Sequence, residues 1–99
     1  MARVFYIGDE ATAAGYRLAG ADVRVPTAAE VAETFRRACE SETDLVLLSA
    51  ELAAALPREE LAAAVLGDRP LVAIVPDAHG RHAPPDVARD VRLALGIEP

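Results

Sequence analysis

Residues 4–25 read VFYIGDEATAAGYRLAGADVRV. Val4–Ile7 is a continuous apolar run, which suits a strand buried on both faces. Two acids, Asp9 and Glu10, stand at its exit. Residues 11–19 follow a helical pattern that Gly20 stops, and residues 23–25 alternate as a short edge strand does. Strand, helix, strand is the unit from which parallel sheets are built. The stretch also poses a choice. Asp9 and Glu10 could form an acidic pocket for phosphate or metal chemistry. They could instead cap the helix, whose positive end favours carboxylates. Gly15 costs roughly 1 kcal/mol relative to alanine in a helix interior. A close approach of the helix to a sheet or a second helix would offset that cost, with Tyr16 and Leu18 making the larger contacts.

The pattern repeats outward from this unit. Residues 45–48 (LVLL) and 71–75 (LVAIV) are further continuous apolar runs. Between residue 25 and residue 45, Thr27-Ala-Ala-Glu30 is a capping-box sequence that predicts a helix start. Val31, Phe35, Ala38 and Cys39 then form the apolar face of that helix. Ser49 predicts a cap for a short turn through residue 56, and Pro57 predicts a new helix that ends at Gly67. Residues 77–83 read as a loop. Pro84-Pro85 opens a last helix to about residue 95, stopped by Gly96. Strands alternating with helices argue for a parallel sheet, and right-handed crossovers leave few topologies. The expectation is an α/β fold with a small four-stranded sheet in the order 2-1-3-4. Its helices would flank the sheet as in a truncated flavodoxin-like or receiver-like Rossmannoid. Residues 1–77 form the Rossmann-like part, and residues 78–99 a loop and C-terminal helix.

Composition narrows the function. The chain has 99 residues, one domain's worth, and 53% of them are hydrophobic, twenty-two being alanine. The net charge is −6, with no basic run of the kind that binds nucleic acid. All ten positive charges are arginine. Without lysine there is no Walker A loop and no Schiff-base chemistry. No apolar run spans a bilayer and no signal peptide is legible, so a cytoplasmic chain without membrane insertion is expected. The lone Cys39 cannot form an internal disulfide and reads as a small core residue. His79 and His82 share a loop without a third ligand, so no metal site is expected. Gly8, Gly15 and Gly20 are spaced too widely for a dinucleotide fingerprint, and no cofactor is expected. A receiver-like signalling domain would hold Mg2+ at Asp9 and Glu10. It would also need an aspartate where this chain has Ser49-Ala50-Glu51, and a lysine that the chain lacks.

The signature Ile7-Gly8-Asp9-Glu10, Thr12, Gly15-Tyr16-Arg17-Leu18-Ala19-Gly20 resembles the N-terminal motif of the F subunit of the V-type and A-type rotary ATPases. That motif reads roughly T-x-x-G-[F/Y]-x-L-A-G. Asp44-Leu-Val-Leu-Leu-Ser49, the proline-bounded Pro70–Pro76 run and the ending Ala94-Leu-Gly-Ile-Glu98 fit the family in order and spacing. Residues 79–85 (HGRHAPP) depart from it. The resemblance implies a non-catalytic rotor component of the central stalk. It would lie against the long coiled-coil D subunit of the rotor, and its C-terminal helix would run towards the catalytic hexamer and modulate ATP hydrolysis. The sequence adds one observation. Val87, Val91, Ala94 and Leu95 form one apolar stripe of that helix, while Leu93 and Ile97 form a second line. Two lines suggest two neighbours, the domain itself and a partner. Arg89, Arg92, Leu93 and Ile97 are the expected partner contacts.

Overall fold

The computed structural model describes residues 3–67 and 69–76. Four parallel strands form one sheet in the order β2-β1-β3-β4, as expected. In chain order the elements are β1 (Val4–Ile7), α1 (Glu10–Leu18), β2 (Asp22–Arg24), α2 (Val31–Glu40), β3 (Leu45–Ser49), α3 (Ala50–Ala53), α4 (Arg58–Leu66) and β4 (Leu71–Val75). The helix expected from Pro84 and the boundary expected after residue 77 fall outside the described residues.

Register sorts the side chains between two faces. Phe5 pairs with Val46, and Ile7 with Leu48. These four lie on one face with Val31, Phe35 and Ala38 of α2, Ala53, Leu56 and Leu61. Removing a side chain such as Phe35 or Leu48 from water contributes about 1.5–3 kcal/mol, so this cluster is the main core. On the opposite face Tyr6, only 1% exposed, stacks on Tyr16 of α1, and Ala13 of that helix is fully buried. Further across that face, on β4, Leu71 is 61% exposed.

Local chemistry sets the boundaries. Asp9 caps α1 and Ser49 caps α3, whose Leu52 N–H donates to the Ser49 hydroxyl at 3.3 Å. Gly67 ends α4. The capping box forms only in part. The Glu30 carboxylate accepts from the Thr27 N–H at 3.0 Å and the Thr27 hydroxyl at 2.9 Å. The Glu30 N–H instead donates to the Thr27 carbonyl, making a turn, and α2 begins after it. β2 starts one residue earlier than the alternation predicts. It pairs only as far as Ile7 opposite Arg24, and the Gly8 N–H closes the pairing on the Arg24 carbonyl at 3.1 Å. Two bonds from Arg36 to Glu60, at 2.8 and 3.0 Å, tie α2 to α4.

Candidate functional site

A sheet of this order has its crevice where the chain leaves β1 and β3 in opposite directions, at the carboxyl ends of the strands. A cavity of about 280 Å³ lies there, lined by Gly8, Asp9, Glu10, Val25, Pro26, Glu51 and Leu52. The two acids singled out from the sequence therefore do reach the expected crevice. Their partners determine what they can do.

Asp9 is held by both oxygens. The Tyr6 hydroxyl donates to Oδ1 at 3.1 Å, and the Thr12 N–H donates to Oδ2 at 2.9 Å. Burial pushes the Asp9 carboxyl up, but the donors at Thr12 and Tyr6 together outweigh it and hold the group below its ordinary value. Tyr6 moves the other way. Burial, then the Asp9 charge, push its phenol from 10.0 up to about 12. Glu10 pairs with Arg17 at 3.1 Å. After β3, the Ser49 hydroxyl caps α3 at the place where a receiver would carry its phosphoacceptor. Among the described residues, no group of three or more His, Cys, Asp or Glu is arranged to hold a metal ion. The crevice is built as a pair of helix caps.

The signature glycines divide. A Cβ on Gly8 would collide with the Tyr6 hydroxyl and ring, so Gly8 leaves room for the ring to reach Asp9. The Tyr6 and Tyr16 rings stack with centroids 4.6 Å apart. Gly20 has φ 97°, a conformation that favours glycine. Around it the Gly20 N–H bonds the Arg17 carbonyl and the Ala21 N–H the Tyr16 carbonyl, which is a Schellman stop. Gly15 does not lie against the sheet, one of the two close approaches expected of it. It is exposed, and among the described residues a Cβ there would have no neighbour within 4 Å, so the glycine brings α1 close to no described element. Leu18, expected to make a contact, is 91% exposed because it falls on the side of α1 away from the sheet.

Sequence reasoning missed Tyr6. It read VFYI as uniform core, yet a tyrosine three residues before an N-cap aspartate, with glycine between them, is the signal for this knot. Cys39 is half-buried against the core, as expected. Burial, then Glu60 and Glu40, push its thiol up and away from reactivity. Asp77, His79, His82 and the expected contacts Arg89, Arg92, Leu93 and Ile97 lie outside the described residues.

The knot of Gly8, Asp9, Thr12 and Tyr16 is the first half of the motif on which the resemblance rests. A family model described as ATP synthase (F/14-kDa) subunit matches residues 4–91. The chain belongs to this family. Its members are accessory subunits of V/A-type rotary ATPases, and membership makes the chain part of such a complex. No curated protein matches the chain at a significant level. Among the described residues, no helix of this F/14-kDa family member is long and apolar enough to cross a membrane.

Proposed function

We propose that this protein is a non-catalytic rotor element of the central stalk. It docks on the coiled-coil rotor subunit and couples or regulates ATP hydrolysis and synthesis in a proton- or sodium-translocating complex. In this reading it is cytoplasmic and peripheral to the membrane, and its C-terminal residues extend the contact towards the catalytic hexamer. The observation that carries the proposal is the outer side of α1. The family motif places a glycine and a leucine there, and among the described residues neither is packed against another element. A large apolar side chain held out in water and a helix backbone left bare suit a surface that a second helix covers. The exposed Leu71 on β4 adds a further apolar area.

Arg89, Arg92, Leu93 and Ile97 supply the second contact. The experiment is co-elution with the coiled-coil rotor subunit, followed by size-exclusion chromatography with light scattering. A one-to-one complex is expected. Leu93→Asp combined with Ile97→Asp should weaken it by about tenfold or more while leaving the melting transition of the free chain in place. Loss of folding in the double variant would make these residues core. Failure of the unaltered pair to co-elute, with or without the remaining stalk subunits, would sink the docking proposal.

A further inference from the structure

The chain is acidic overall, with a net charge of −6, yet one cavity has the opposite character. About 340 Å³ in volume, it lies between β1, β2 and the last turns of α2, and Arg3, Arg24 and Arg37 all line it. Phe5, Thr34 and Ser41 line it too, and no carboxylate does. The crevice at the carboxyl ends of the strands contains Asp9, Glu10 and Glu51. A larger cavity at their amino ends contains Glu42 and Asp44. Asp22 and Glu33 pair with Arg3 and Arg37 from outside the lining, so the cavity keeps a small positive excess, centred on Arg24, within an acidic chain.

The donors are held in place. The Arg3 and Arg24 guanidiniums stand over the Phe5 ring, with their carbons 5.4 and 5.1 Å from its centroid. Phe5 is 5% exposed, so it gives the cavity an apolar wall that sharpens nearby charge. Arg3 gives one N–H to Asp22 at 3.2 Å, and Arg37 gives one to Glu33 at 2.9 Å. Arg24 gives one N–H to the Val23 carbonyl at 2.8 Å and has no carboxylate partner among the described residues. A guanidinium has five N–H groups in a planar fork, so each arginine keeps donors for a ligand. A carboxylate is flat and is satisfied by one or two such forks. A tetrahedral oxyanion can accept from three directions at once and carries more charge.

We infer that this cavity binds a phosphoryl group, either as free phosphate or as the terminal group of a phosphomonoester. The inference is independent of docking on the coiled-coil rotor subunit, and neither stands or falls with the other. Arg24, which has no carboxylate partner among the described residues, is the main donor, and Arg3, Arg37 and the Thr34 hydroxyl, which line the same cavity, supply further bonds.

The test is a titration of the full chain with inorganic phosphate, followed by amide NMR, against chloride at equal ionic strength. Saturable shifts are expected at Arg24, Thr34, Arg37 and Ser41. Arg24→Gln should weaken binding roughly tenfold, and the exposed Arg37→Gln, which leaves the core untouched, should weaken it in the same direction. Arg36→Gln should leave it unchanged, because Arg36 is committed to Glu60. Phenyl phosphate forms a second arm. Tighter binding than phosphate assigns the site to an ester, and equal or weaker binding assigns it to the free ion. Shifts that grow without saturating for both probes would overturn the inference. So would equal losses in the Arg24, Arg37 and Arg36 variants, which would mean that only overall charge matters.

Discussion

On the inner side of α1, Ala13 is fully buried and Tyr16 lies against Tyr6; on the outer side, Gly15 faces open space and Leu18 stands in water. Tyr16 on one side and Gly15 and Leu18 on the other belong to one signature. The inner residues answer to the fold, since each has a neighbour that would be lost or struck if it changed. The outer residues have no such neighbour among the described residues. A motif can thus combine a half that the described fold explains and a half that it does not, and the test is what a substitution would meet. Gly8 and Gly15 make the contrast sharpest, because the same residue type serves opposite ends.

The largest expected effect breaks the inner side. Gly8→Ala drives a methyl into the Tyr6 ring, which is pinned by a stack on one side and a bond to Asp9 on the other. Moving the ring forfeits a charge-assisted hydrogen bond and an aromatic pair, about 2–4 kcal/mol together, read by urea unfolding. A loss within experimental error would mean that the ring yields freely and the knot is loose.

Asp9→Ala is the next step down. It removes the cap and one acceptor, for an expected loss of about 1–2 kcal/mol. It also moves two titrations. Asp9 is held below its ordinary 3.8 when folded, so its stabilisation is complete above that value and drains away as the pH falls through the lower folded value. Tyr6 is raised when folded, so its contribution is complete below 10.0 and is lost as the pH rises through about 12. Asp9→Ala should flatten the acid limb of the stability profile and bring the Tyr6 phenol back towards 10.0, measured by ultraviolet titration. An unmoved Tyr6 would mean that burial alone sets its value.

The smallest effect sharpens the outer side and has the opposite sign. Gly15→Ala meets no atom, so the free chain should gain about 0.5–1 kcal/mol. In the assembly with the coiled-coil rotor subunit the same methyl should weaken binding. A gain in stability with unchanged assembly would leave the outer face without a partner there.

The sequence made the architecture legible because its strands are short apolar runs separated by caps and stops. The bounds of β4 and the caps at Asp9 and Ser49 follow from local chemistry, and the order 2-1-3-4 from the handedness of the crossovers. What was not legible depended on which way a residue faces. Gly15 reads as a packing glycine until the helix is rotated into place, and Tyr6 reads as plain core until its hydroxyl finds Asp9. Thr27 and Glu30 do meet, but as a turn before α2 rather than its first residues, since one backbone bond between them replaced the expected side-chain bond. Reading the Arg3, Arg24 and Arg37 cavity needed three separated segments brought together, which no local pattern announces.

The two borders of the sheet differ in a way that bears on how the chain keeps apart from its own copies. Among the described residues β2 and β4 are the outermost strands. The first is short and bears Asp22 and Arg24, charges that discourage a neighbour from pairing with it. The second is the all-apolar LVAIV, the kind of segment that recruits like segments into aggregates. Pro70 and Pro76 flank it on both sides. Neither proline has an N–H to give to a growing ladder, so they act as gatekeepers. Any strand that this border templates is cut off at both ends of the run.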